Sequence, residues 1–177
     1  MTLLAQKPSK LFFAKAIRVV TLALFVVAFG AGATLAQTNQ QVSFTAATST
    51  ALITGVMKLP GGLIQFNATA SGSATHLGDV TASFTRIQDN QGNFGTIAVL
   101  VGANGKDSVF LSVSGHFSEG KGGDKCMLTS TGTYTITGGT GAFANATGSG
   151  TAETQADLCA GTAAGSYTGT ISQPNSN

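Results

Sequence analysis

The sequence predicts an all-β domain of about eight short strands, and three observations carry that prediction. Apolar residues recur at every second position in short segments, glycine and asparagine punctuate those segments, and no stretch shows the 3.6-residue apolar period of an amphipathic helix. The chain has 177 residues, 24 of them glycine, with no tryptophan and only 9% charged residues. Such a composition invites a reading of disorder. Disordered chains, however, combine high net charge with few β-branched or aromatic residues, and here alternating apolar segments persist throughout.

The first element is not part of that domain. Lys7, Lys10, Lys15 and Arg18 precede an apolar run from Val19 to Phe29 broken only by Thr21, which ends in the small-residue stretch Gly30 to Ala36. Basic, then apolar, then small is the order of a secretory signal peptide, with cleavage expected after Ala33 or Ala36. The apolar core is about half the roughly 20 residues that a spanning helix needs, so no stable membrane span is expected after cleavage. Residues 1–36 are therefore assigned as signal peptide and 37–177 as one domain, in a protein that is secreted or periplasmic, in the cell envelope. Four of the nine basic residues leave with the leader and all seven acidic ones stay, so the mature net charge is −2. No basic stripe remains, which argues against a nucleic-acid partner.

The strands follow in order. Gln41 to Thr45 puts Val42 and Phe44 on one face, and Leu63 to Ala70 does the same for Ile64, Phe66 and Ala68. Val80 to Ile87 aligns Val80, Ala82 and Phe84. Phe94 to Val101 is apolar on both faces, which predicts cover on both sides. Asp107 to Phe117 alternates Val109, Leu111 and Val113 against Phe110, Ser112 and Ser114. The turns Asn90 to Asn93 and Ala103 to Lys106 hold residues that tolerate positive φ. After a polar loop from Ser118 to Lys125 come a strand from Met127 to Thr137, another from Ala146 onward, and a last one from Ser166 to Ser172. Tight turns joining about eight strands indicate a sandwich or a closed barrel.

Cys126 and Cys159 are the only cysteines, and in an oxidising compartment an even pair reads as a disulfide. No short Cys/His spacing points to a metal site, and no cofactor motif is present. As direct partners in one hairpin they would centre its reversal between Ala142 and Phe143, beside the run Gly138 to Gly141. The bridge would then hold register where glycine-rich strands slip.

The segment Gly132 to Thr151, GTYTITGGTGAFANATGSGT, resembles the glycine hairpin of dirigent-like and allene oxide cyclase-like β-barrel proteins, and Ser71 to Gly78, SGSATHLG, resembles a segment of their exported bacterial relatives. The likeness covers about a quarter of the mature chain. It implies a single antiparallel barrel of eight strands whose interior holds side chains or one small apolar ligand. In the hairpin, Gly138, Gly139 and Gly141 would allow a sharp reversal and Phe143 would plug one end of the barrel. No catalytic position is transferred, because the polar pocket residues of those families lie outside the matched hairpin.

Candidate chemistry is sparse. His76, at a strand edge, is the foremost ligand-binding candidate, against a structural role in a turn, and Phe66 and Phe84 join it from apolar strand faces. His116 is a weaker candidate near a strand end. The carboxylates are scattered, and Asp89, Asp107 and Asp124 fall where turns need them. Gly138 to Gly141 lacks the Lys-Ser/Thr of a phosphate loop. No catalytic constellation emerges, so the expected function is a non-enzymatic barrel that binds a small apolar ligand or serves a structural role in the envelope. Two alternatives stand beside it: a cyclase-like or isomerase-like enzyme, favoured if His76 lies in an apolar cavity, and a fibre or adhesion subunit.

Overall fold

A computed structural model describes residues 40–119, 126–157 and 159–174; the expected signal peptide and the loop from 120 to 125 lie outside them. Eight strands form a closed antiparallel barrel in chain order, each paired with its sequence neighbours and β1 closing on β8. They are β1 (Gln41–Lys58), β2 (Ile64–Ala74), β3 (Gly78–Gln88), β4 (Asn93–Gly102), β5 (Ser108–Glu119), β6 (Met127–Thr140), β7 (Gly148–Asp157) and β8 (Thr162–Ser172). Among the described residues no helix is long and apolar enough to cross a membrane.

The alternation read from sequence sets the inward face. Phe44 and Ala46 on β1, Val80 and Ala82 on β3, and Val109, Leu111 and Val113 on β5 are all buried, with Thr45, Thr81, Ser83, Ser112 and Ser114 between and beside them exposed. Closure removes sheet edges, so the backbone polar groups of most strands are paired on both sides.

Three expectations are corrected. β1 continues thirteen residues past Thr45, to Lys58. Its pairing with β2 slips between Ser49 and Leu52 and again between Ile53 and Gly55, and each slip shifts the phase of the strand, erasing the period-two signal. β4 is covered on one face only. Phe94, Ala98 and Leu100 point inward, whereas Ile97 is 65% exposed on the outside. In the β6–β7 hairpin, Met127 pairs with Asp157 and Ile136 with Gly148, so the reversal centres on Ala142. The cysteines are thus not direct ladder partners. Cys126 lies one residue before the last pair and Cys159 two residues after it, bonded at a Cα separation of 5.3 Å.

The glycines of that hairpin act for different reasons. Gly138 and Gly141 have φ of 149° and 60°, conformations that a side chain resists. Gly139 has no such φ; a Cβ there would strike the carbonyl oxygen of Ser108. Phe143 sits in the short 3-10 turn Gly141–Phe143 with 2% exposure, closing one end of the barrel. Asp107 anchors this plug. Its Oδ1 accepts the Ala142 N–H at 2.9 Å, and that bond, with the Asn104 amide and the nearby Lys106, holds its carboxyl below the ordinary value. At the other end Asp89 accepts the backbone N–H groups of Gln91 and Asn93, each at 2.9 Å, in the β3–β4 turn.

Candidate ligand cavity

The two ends of the barrel hold different things. At the Phe143 end, Phe44, Leu100, Val109, Leu111, Ile136 and Ile171 fill the interior. Above them Tyr134 packs edge-on against Phe44 and Tyr167, with ring centroids 6.1 and 5.9 Å away. Its ring is admitted by Gly150 and Gly169, paired across β7 and β8, where a Cβ would meet the tyrosine at 2.7 and 2.6 Å. The Tyr134 hydroxyl is buried without a hydrogen-bond partner, and burial pushes its pKa up to about 12.

Beyond Tyr167 the interior opens into a cavity of about 280 Å³. Part of its wall is made by small residues: Ala68 on β2, Thr96 on β4, Ala156 on β7, and Ala163 and Gly165 on β8. Phe66, Phe84, Phe117 and Leu128 complete an apolar lining. The opening follows from strand pairing. β1 leaves β8 after the pair Thr48 and Gly165, so among the described residues its distal half bonds to β2 alone and flanks the mouth. Ile53 on that half lines the cavity while 44% exposed, and Val56 and Met57 lie further out at 61% and 55%.

One charged side chain enters this space. Arg86 continues the inward face of β3 after Phe84, and its Nε donates to Thr96 Oγ1 at 2.9 Å. Its guanidinium lies 4.1 Å from the ring centroid of Phe94 and 4.8 Å from that of Phe117, two rings that themselves pack 5.0 Å apart. Cation–π attraction of this kind offsets part of the cost of removing the charge from water. Burial lowers the Arg86 pKa and Tyr167 opposes that shift, but an arginine side chain remains cationic at neutral pH. The Tyr167 phenol responds in mirror image: burial raises its pKa and Arg86 counters.

Of the residues singled out from sequence, Phe66 and Phe84 line the cavity and His76 does not. His76 occupies the β2–β3 turn at the plugged end, exposed, with φ of 67°, and its Nε2 donates to the Ser43 carbonyl at 3.1 Å. Next to it Thr75 Oγ1 accepts the Thr45 N–H at 2.9 Å, so the turn is pinned to β1. His116 is exposed, with Nδ1 3.3 Å from the Asn93 side-chain oxygen. Cys126, Cys159 and Asp157 cluster, but both sulfurs belong to the disulfide, and Asp157 accepts the N–H groups of Cys159 and Ala160. Sequence reasoning missed Arg86 and Tyr167. The signal for Arg86 was its place in the phase of Val80, Ala82 and Phe84, together with its being the only arginine after residue 36.

Fold and cavity together define an eight-stranded antiparallel barrel, packed at one end and hollow at the other, with a single cation in the hollow among the described residues. No family model and no curated protein matches the chain. Among solved structures it is similar to a dirigent protein described as a pterocarpan synthase, at 15% identity over 77% of this chain and 89% of that one, with a TM-score of 0.45.

Proposed function

We propose that this is an exported, non-enzymatic barrel that binds one small, largely apolar molecule in the cavity beyond Tyr167. The observation behind this reading is the contrast between a packed end and a partly open apolar hollow of about 280 Å³. A dry cavity of roughly 150 Å³ accommodates benzene, so this one suits a ligand about twice that size. Phe66 and Phe84 are proposed as ligand contacts. The condition that would have favoured a cyclase-like enzyme, His76 in an apolar cavity, is not met, because His76 stands at the opposite end. Export rests on the order of residues 1–36, and the disulfide supports an oxidising compartment.

Mass spectrometry of the protein purified from its native envelope, run under native and then denaturing conditions, tests both parts. The expected result is a chain beginning after Ala33 or Ala36 that carries a small apolar molecule released on denaturation. A bare native mass that also takes up no added apolar ligand would overturn the binding reading, and an intact Met1 would overturn cleavage.

Edge-to-edge assembly is the second reading with an observation behind it. Among the described residues the distal half of β1 has no partner on its β8 side, and it exposes Leu52 and Met57 at 63% and 55%. Size-exclusion chromatography with light scattering over a hundredfold range of concentration checks it; a constant monomer mass would remove this reading.

A further inference from the structure

Resting on the cavity reading above, we infer that the ligand carries an anionic oxygen headgroup, a carboxylate or a phosphate monoester, held by the guanidinium of Arg86, with its apolar body against Phe66, Phe84 and Leu128. An arginine has five N–H donors. One is taken by Thr96, and among the described residues no acceptor receives the other four and no carboxylate pairs with the charge. The half-buried side chain stands in a largely apolar lining that offers its charge little compensation.

The two aromatic rings hold the guanidinium from its carbon side, and the Nε bond to Thr96 leaves its fork of Nη groups as the free donors. Phe94 and Phe117 lie against it and Thr96 holds Nε, so three contacts position the head without taking its Nη donors. A guanidinium presented in this way matches the two oxygens of a carboxylate or phosphate, and such bonds are about twice as strong as neutral ones. A neutral apolar ligand would leave the charge unmatched. A cationic amphiphile would be repelled by it.

The test uses four probes with one eight-carbon body: octanoate, octyl phosphate, 1-octanol and octylamine, titrated into the mature protein at pH 7 by calorimetry. The better of the two anions is expected to bind at least tenfold tighter than octanol, with octylamine weakest; which anion wins identifies the headgroup. Arg86→Met is expected to lower anion affinity at least tenfold and leave octanol within threefold. Equal binding of octanol and both anions by the wild type would overturn the inference while sparing the cavity reading, and needs no variant to fold. Binding of none of the four would instead overturn the cavity reading and this inference with it. An Arg86→Met protein that folds and keeps the preference for anions would also refute the role of Arg86.

Discussion

At the Phe143 end the interior is filled by Phe44, Leu100, Val109, Leu111, Ile136 and Ile171; at the disulfide end small residues, Ala68, Thr96, Ala156, Ala163 and Gly165, stand among Phe66, Phe84, Phe117 and Leu128 and leave a hollow. The ends differ in side-chain volume and in strand pairing, because β1 leaves β8 after Thr48 and Gly165 at the hollow end. An eight-stranded barrel has an interior just wide enough for side chains to fill it or for one small ligand to enter. Here one molecule uses both options along a single axis. The packed end supplies cohesion, and the open end is therefore free to carry a cavity, a half-buried cation and a strand that departs from its neighbour.

The largest expected effect tests that division of labour. Phe143→Ala should cost about 3–5 kcal/mol, because a fully buried ring leaves a void that rigid strands cannot refill. Phe84→Ala, at a half-buried ring that already borders open space, should cost less than half as much. Urea unfolding of both variants provides the comparison, and equal losses would break it. Next in size is the tie at the hollow end. Removing both cysteines should cost about 3–4 kcal/mol in the chain-entropy account for a closed loop with a sequence separation of 33. A double alanine variant that melts with the wild type under non-reducing conditions would show that the hollow end needs no such constraint.

The smallest effect lies at the boundary between the two regions. Tyr134 keeps its proton to about pH 12 in the folded chain and to about pH 10 when unfolded, so the unfolded chain releases a proton first as pH rises. Its contribution to stability is complete below pH 10 and is lost between pH 10 and 12, by about 2–3 kcal/mol. Tyr167, also raised, adds to the loss in the same direction. Tyr134→Phe should make the alkaline decline shallower and stabilise the protein at pH 7 by about 1–3 kcal/mol, since it removes a buried hydroxyl that has no partner. Thermal melts at pH 7 and pH 11 check both signs; a destabilised phenylalanine variant would mean that the hydroxyl is solvated.

Much of this architecture was legible in the chain. Period-two alternation located the strands and assigned Phe44, Val80, Ala82, Leu111 and Val113 to the interior, because a strand buried on one face cannot change phase without exposing its apolar set. Glycine and asparagine located the turns, since few residues tolerate positive φ. Where the phase itself shifted, as in the distal half of β1, the signal disappeared.

What only the tertiary structure decided is which side chains meet around the barrel. His76 and Arg86 are alike in sequence, each a lone basic residue near the end of an alternating segment. Position along the barrel separates them: His76 falls in a turn at the packed end and bonds a backbone carbonyl, while Arg86 falls two residues past Phe84 on the inward face, beside rings from β4 and β5. The cavity was undetermined for the same reason. A strand's sequence states which residues point inward, but the space left between them depends on what the seven other strands place at the same height, and barrel closure with its stagger decides that.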